Sequence, residues 1–452
     1  MSDFSRITLT PAYVGKLRMR SVLFEPRDPL PAQEHEISRL DRFKYTDLVR
    51  ASLSRHLNFS EAFAAMCYAL RASNAYLAER HFGDLQDFGE LGNLLAAREM
   101  LSGLAMKEAW AHLTPDEVAG LVAATMLDVV RFPDYGEYVF ENCGMGGDIG
   151  VQFNGEPSHR KTINGSTLST LVLASMGIRT AKHGSYSNTS AVGSTDAIEK
   201  FGVRVDVPSM DVQVEMVASG FHFTDAHAWK TVHDLSHAEP RRETVNHVIG
   251  PMSPPIGPET VLDKIVGVSE KLHPDIVARA LVMLGEKRIF NLRNAAVICG
   301  LNQVIDPGDT EIHKRVRNAT VLDEMSPYAS VVSLVRKGKW CGAHVLRPSM
   351  FGVTFRDPRS IFIKNETDEI MQANRVALSG EDDGRQLPEY LAMNAAMGLY
   401  VVEYLENDSV SKEQGPSEEM LRDAFGRCLK VIQDGTTDSF LHKLVQLSSR
   451  LA

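Results

Sequence analysis

Residues 141–202 read ENCGMGGDIG VQFNGEPSHR KTINGSTLST LVLASMGIRT AKHGSYSNTS AVGSTDAIEK FG, and this stretch decides the fold. It runs out of a β-prone segment, YVFENCG, into Cys143-Gly144-Met145-Gly146-Gly147-Asp148. Small residues at a strand end let backbone N–H groups approach an anion closely, although a tight turn alone would also use glycine. Next comes Thr162-Ile163-Asn164-Gly165-Ser166-Thr167, leading into the helical run Leu168–Met176. Hydroxyls at a helix amino end, with unpaired N–H groups and the dipole behind them, form a second anion site. A plain N-cap needs only one of them. A third segment follows another β-prone run: Lys182-His183-Gly184-Ser185, with further hydroxyls to Ser190, then Gly193-Ser194-Thr195-Asp196. Each piece alone could be a loop. In this order they suit a molecule with phosphate at one end and pyrophosphate at the other.

Outward from that stretch, the texture beyond Pro133 alternates. Strand-like runs (YVFENCG, IRTAKHG, VRVDVPS, RIFNLRNAAVICG, YASVVSLV, HVLRPSMFGVTF) interleave with helical runs such as STLSTLVLASMG and DIVARALVMLG. Such alternation predicts an α/β fold with a mainly parallel central sheet. Upstream, TDLVRASLSRHL, SEAFAAMCYALRASNAYLAERHF and GELGNLLAAREMLSGLAMKEAWAHL carry Ala- and Leu-rich helical spacing. Thr114-Pro115-Asp116-Glu117 reads as a helix start, with a capping threonine, a first-turn proline and acids at the amino end. The expected organisation is an extended helical domain over 1–135 and an α/β domain over 136–452, with some late helices free to pack back on the first.

The 452 residues are 44% hydrophobic and 23% charged, with a formal net charge of −10. Acidity argues against non-specific nucleic-acid binding, which needs a basic surface. The five cysteines (Cys67, Cys143, Cys299, Cys341, Cys428) form no CxxC pair, so neither a disulfide framework nor a zinc site is expected. The opening MSDFSRITLTPAY lacks an apolar h-region and no apolar run reaches membrane-spanning length. A cytoplasmic protein without a membrane partner is expected.

The run GxGGD, then TxNxST, then KHG…GSxDxxExFG resembles the anthranilate phosphoribosyltransferase family, and more distantly the pyrimidine nucleoside phosphorylases that share its fold. Gly250-Pro251, Pro348-Ser349-Met350-Phe351-Gly352 and Leu391-Ala392-Met393-Asn394-Ala395-Ala396 extend the likeness over about residues 100–452. The phosphorylases place a lysine before their cradle, at the position of Asn142, which favours the transferase branch. The resemblance implies a small helical domain, a larger α/β domain with the site in the cleft, and a homodimer. It implies a phosphoribosyl pyrophosphate donor held by Gly144, Gly147, Asp148, Thr162, Asn164, Ser166, Thr167, Lys182 and Ser194, with Ser190 among the nearby hydroxyls. Ser166 would also touch a metal ion. His183 and Ser185 would face the acceptor, although the family usually has Asn at the position of Ser185. Lys182 would stabilise the leaving anion, and His183 is the candidate proton acceptor.

Three departures from the family pattern shape the functional expectation. The family's magnesium-binding Asp-Glu pair follows a strand ending in glycine; after Ile298-Cys299-Gly300-Leu301 stand Asn302 and Gln303 instead. Amides are poor ligands for a hard cation, so magnesium is an option rather than a requirement. The loop between Asp148 and Thr162 is longer than in the family and ends His159-Arg160-Lys161; Arg160 is placed to bind donor phosphate and partly replace the metal. Ahead of Gly250-Pro251, Glu243 falls where the family carries an acceptor-holding arginine, with Arg242 beside it. That points to an amine or nitrogenous aromatic acceptor other than anthranilate. His222, His227, His233 and His237 lack the HExxH pattern and read as acceptor-side residues rather than a metal cluster. The alternatives are a nucleoside phosphorylase and a non-catalytic ligand-binding homologue.

Overall fold

The computed structural model describes residues 28–73, 90–127, 135–146, 150–153, 155–187, 190–205, 210–225, 245–268, 272–301, 321–381 and 383–449. Helices come first: α1 (Pro31–Ile37), α2 (Tyr45–Ser54), α3 (Phe59–Ser73), α4 (Glu90–Ala111) and α5 (Pro115–Thr125). Then strands and helices alternate: β1 (Tyr138–Gly144), β2 (Arg160–Lys161), α6 (Gly165–Ser175), β3 (Thr180–Gly184), α7 (Ser194–Lys200), α8 (Met210–Ala218) and β4 (Phe221–Asp225). They continue with α9 (Asn246–Ile249), β5 (Val261–Gly267), α10 (Pro274–Glu286), β6 (Asn291–Leu301), β7 (Val321–Leu322), β8 (Ala329–Arg336) and β9 (Lys339–Leu346). After β10 (Ile363–Lys364) the chain is helical: α11 (Thr367–Ser379), α12 (Leu387–Leu399), α13 (Glu418–Gln433) and α14 (Thr436–Ser449).

The sheet runs β4-β3-β1-β5-β6-β8-β9 with β7 also on β6. The first five strands are mutually parallel; β7 and β8 pair antiparallel with β6, and β9 antiparallel with β8. Side chains alternate between the faces, as strand geometry requires. Val139, Leu262, Val266, Ala295 and Val297 enter one core with the amino-terminal helices and α10. Phe140, Ile265, Ala296 and Ile298 enter a second core with α6 and α11–α14. Helices therefore cover both faces, the arrangement that buries a parallel sheet.

Two strand expectations fail locally. Val203–Val205 form no strand. The run 344–355 gives only the end of β9, because Pro348 opens a 3₁₀ turn, Pro348–Phe351, and lacks the N–H a ladder needs.

The start of α5 shows how sequence sets local structure. Thr114 caps the helix, and Glu117 completes a capping box from the third position. Glu117 is fully buried and does more: its carboxylate pairs with the buried Lys107 ammonium and accepts from the Leu57 N–H at 2.9 Å. Burial raises its pKa, but the bonds from Lys107, Leu57 and Thr114 outweigh that, so the carboxyl sits below its usual value. Glu117→Gln should cost about 3 kcal/mol, because it strands a buried lysine. Since the folded pKa is depressed, this stabilisation is complete above the unfolded value near 4.3 and is lost as pH falls through the folded one. Urea melts from pH 7 to pH 3 should show a shallower acid limb in the variant.

Candidate active site

From β1 the chain moves to β3 and β4 on one side, while β5 and β6 lie on the other. The switch point is thus between β1 and β5, and ligands of open α/β sheets bind outside the carboxyl ends of strands at such a point. Here Gly144 and Gly267 are register partners. The Met145 N–H donates to the Gly267 carbonyl at 2.8 Å, which turns the chain over the strand ends.

Across these ends runs Asp323-Glu324, delivered by β7, whose two residues pair with Gly300 and Leu301 at the end of β6. A Cβ on Gly144 would overlap the Asp323 carboxylate, one on Gly267 its carbonyl, and one on Gly300 the Glu324 carbonyl. β1 and β5 end in glycine, and β6 carries one next to its last residue, because this segment lies on them. Asp323 Oδ2 accepts the Gly146 N–H at 2.7 Å. The Glu324 carboxylate accepts from the Thr162 hydroxyl and would overlap a Cβ on Gly165. It also lies 3.0 Å from the buried Tyr390 hydroxyl, whose pKa is driven well up by burial and by Glu324, so it stays a neutral donor. Asn394 accepts from the Met325 N–H at 3.0 Å and holds the segment from behind.

The expectation that the carboxylates are replaced by amides is corrected here. Asn302 and Gln303 lie outside the described residues, but the Asp323-Glu324 pair, twenty-one residues further along, stands directly over the glycine cradle. Gly300 is the penultimate residue of β6, yet the carboxylates arrive only when the chain returns to it at β7. The signal was present as an acidic dipeptide between a short apolar run and the next strand, Val321-Leu322-Asp323-Glu324-Met325.

Other expected residues sort by their partners. Gly147, Asp148, Arg242 and Glu243 lie outside the described residues, as do His227, His233 and His237. His222 is buried in β4 with Nδ1 2.8 Å from the Tyr135 hydroxyl, and burial pushes its pKa down to about 4. Asn164 exchanges two bonds with the buried Asn374, at 3.0 and 2.7 Å, and donates to the Val192 carbonyl at 3.0 Å. It fixes the second loop to the third and to α11. Asn142 donates to Ser169 Oγ at 3.0 Å, anchoring α6 beneath the cradle. The Ser166 hydroxyl is partly exposed at the helix start, and the buried Thr167 hydroxyl has no partner among the described residues. Ser194 packs against Gly184; the Ser185 carbonyl accepts from Thr195 at 3.1 Å, and Ser190 Oγ takes the Val192 N–H at 3.4 Å.

Lys182 is buried and donates to the His183 carbonyl at 2.7 Å. Burial pushes its pKa down, countered by Cys143 and Asp323 nearby. His183 has Nδ1 2.9 Å from Glu141 Oε1 and Nε2 3.2 Å from the Gly250 carbonyl oxygen. A carbonyl oxygen only accepts, so Nε2 donates to Gly250, while the Nδ1 approach to Glu141 is a close contact without hydrogen-bond geometry.

Arg160 is also reassigned. β2 pairs with β10, and the guanidinium is taken by Glu156 at 2.6 Å and the Phe362 carbonyl at 3.2 Å. It ties the long loop to the body of the protein, so a role as substitute for a metal has no support. Arg160→Ala should leave affinity for a phosphorylated donor within about twofold by calorimetry, since one partly exposed ion pair is worth about 1 kcal/mol or less.

A glycine cradle, a hydroxyl-bearing helix start and a carboxylate pair thus meet around one strand switch point. Residues 140–437 match the family described as "Glycosyl transferase family, a/b domain". The chain belongs to that family and is a pentosyltransferase of the anthranilate phosphoribosyltransferase-like type. It is 28% identical over 347 residues to anthranilate phosphoribosyltransferase of Methanopyrus kandleri, covering 74% of this chain and 86% of that one. The enzyme of Caldivirga maquilingensis is 26% identical over 290 residues, 63% of this chain and 73% of its own. Among solved structures, anthranilate phosphoribosyltransferase from Thermus thermophilus superposes with a TM-score of 0.60 at 22% identity, covering 89% of this chain and 99% of that one. The Saccharomyces cerevisiae enzyme in complex with PRPP and Mg gives 0.62 at 18%, with 92% and 99% covered. These two likenesses speak to the fold. No helix among the described residues is long and apolar enough to cross a membrane.

Proposed function

We propose that the protein transfers the phosphoribosyl group of phosphoribosyl pyrophosphate to the nitrogen of an aromatic amine, with release of pyrophosphate and assistance from a magnesium ion. The observation that carries this reading is the Asp323-Glu324 pair lying over the cradle and against the TxNxST turn. Two adjacent carboxylates with the Thr162 and Ser166 hydroxyls make an all-oxygen donor set, which fits a small hard cation. Bound there, magnesium would neutralise charge on the pyrophosphate. The chain's own groups do the rest. The free N–H groups and hydroxyls at the start of α6 orient the donor and stabilise the departing anion, with the buried Lys182 adding positive charge beneath the cradle. The amine nitrogen forms the new bond to the anomeric carbon as the bond to pyrophosphate breaks, and its proton leaves to solvent or to the anion.

The acceptor is the finer question. Ser185 and Glu243 argue for an amine other than anthranilate, but Glu243 lies outside the described residues. The curated relatives are anthranilate phosphoribosyltransferases, which makes anthranilate the first acceptor to test. Phosphorolysis is disfavoured because Asn142 is committed to anchoring α6, where phosphorylases present a lysine. Calorimetric titration with phosphoribosyl pyrophosphate should show binding in magnesium that weakens at least tenfold in EDTA. Pyrophosphate release should then follow on adding anthranilate or an amine heterocycle. No binding in magnesium would overturn the donor assignment.

A further inference from the structure

β1 brings Glu141 and Cys143 to one face of the sheet, two residues apart, because side chains alternate along a strand. β3 runs parallel beside it with Ala181 opposite Glu141, so His183, two residues on, shares that face. Val139 and Ala181 belong to the same face, which packs on the amino-terminal helices. A carboxylate oxygen of Glu141, the Cys143 sulfur and a His183 ring nitrogen all lie within 4.8 Å of one another. All three side chains are buried, Glu141 completely and His183 to 3% exposure. Sequence spacing hides such a cluster, because its members meet across two strands rather than along one segment.

The ring is oriented as a ligand. Its Nε2 donates to the Gly250 carbonyl at 3.2 Å, so a neutral ring presents its lone pair at Nδ1. Nδ1 stands 2.9 Å from Glu141 Oε1 in a close contact without hydrogen-bond geometry. Two electron-rich atoms that close, away from water, repel unless a cation lies against both. Metal-bound histidines characteristically donate their other N–H to a carbonyl or carboxylate, which is the part Gly250 plays. The Cys143 thiol donates to the His183 carbonyl at 3.5 Å, a weak bond that it can give up on losing its proton. In a tetrahedral zinc site the ligand atoms stand about 3.3 to 3.7 Å apart, so the widest pair here closes by roughly 1 Å at most.

Lys264 is the rival partner of Glu141, bonding the other carboxylate oxygen, Oε2. Burial pushes its pKa well down, so the amine can donate an N–H to Oε2 without bringing a full charge. A divalent ion with one thiolate and one carboxylate is neutral as a unit, which suits a dry interior.

We propose that Glu141, Cys143 and His183 form a site for a borderline divalent cation, zinc by preference, beneath the glycine cradle. Sulfur, imidazole nitrogen and a single carboxylate select zinc over magnesium, which takes oxygen, so the site differs in chemistry from the Asp323-Glu324 pair. Binding sends the Cys143 thiol proton to solvent and forms metal bonds to Sγ, Nδ1 and Oε1; nothing is oxidised or reduced. A water molecule takes the fourth position of the tetrahedron. The ion clamps the end of β1 to the end of β3 and, through His183, to the Gly250-Pro251 turn.

Cobalt(II) is the probe, because it takes the place of zinc and reports sulfur ligation through a charge-transfer band in the near ultraviolet. Metal-free protein titrated with cobalt should bind one ion at this site per chain, show that band, and lose it when zinc is added. Cys143→Ser should abolish the band and weaken zinc at least tenfold in competition with a chromophoric chelator. His183→Gln should weaken zinc by a similar factor. Asp323→Asn, which alters only the oxygen site, should keep the band and leave zinc affinity within twofold. Circular dichroism checks the fold of each variant. X-ray absorption of the zinc-loaded wild type decides the case even if Cys143→Ser fails to fold, with one sulfur expected at about 2.3 Å. Absence of both the band and a sulfur neighbour in wild type would overturn the site and leave Glu141 to Lys264 alone. A band that survives in folded Cys143→Ser would overturn it equally.

Discussion

Asp323→Asn should lower pyrophosphate release by about 10³-fold at saturating magnesium, a loss of about 4 kcal/mol of transition-state stabilisation. The substitution keeps an oxygen able to accept the Gly146 N–H, which Asp323 now takes at 2.7 Å, so the strand ends stay in place. What disappears is a negative charge beside the cradle, and with it a ligand oxygen of the kind magnesium selects. The variant should also need much more magnesium for half-maximal rate. Steady-state assays across magnesium concentration, with circular dichroism as a check on folding, give the answer. Retention of a tenth or more of the wild-type rate would remove this carboxylate from the mechanism.

A second large effect should come from a single methyl group at Gly267. Its Cβ would overlap the Asp323 carbonyl oxygen, which is backbone and has no rotamer to move into. Gly267→Ala must therefore push the 321–324 segment off β5, and both carboxylates move with it. Overpacking of this kind costs about 3 kcal/mol in stability. Displacing the carboxylates by an ångström or so should lower turnover by about 10²-fold. Chemical denaturation and kinetics together would show it; a variant with wild-type stability and rate would mean the segment does not lie on the strand end. Alanine at Gly155, where nothing stands within 4 Å of a Cβ, serves as a comparison free of any clash, although its positive φ adds some strain.

The parts of this protein that a sequence reveals are those where local chemistry leaves few choices. The cradle was legible because close backbone approach demands glycine, and β1 and the start of α5 were legible because their residues match strand and cap requirements. The hidden parts are those whose logic is non-local. β5 carries Asp263 and Lys264 in mid-strand, a pattern that reads as a loop until their partners are known. Asp263 is matched by Arg293 Nε at 3.0 Å and Lys264 by Glu141, each on an adjacent strand. β4 is disguised in the same way by His222, which Tyr135 satisfies from outside the sheet. The carboxylate pair was missed because the strand-end glycine that announces it, Gly300, and Asp323-Glu324 are neighbours in space but not in sequence.

The apolar face shared by the amino-terminal helices, α10 and one side of the sheet bears on how the protein comes apart. Leu101, Leu121, Val139, Leu262 and Val297 belong to one uninterrupted core, so no layer of water separates the helical layer from the strands that carry the cradle. Unfolding the helices alone would wet the sheet face, and neither layer can melt far without the other. Heat or denaturant should thus meet a single cooperative unit along this face, and damage in the helices should register at the strand ends as lost catalytic order before any strand has itself been altered.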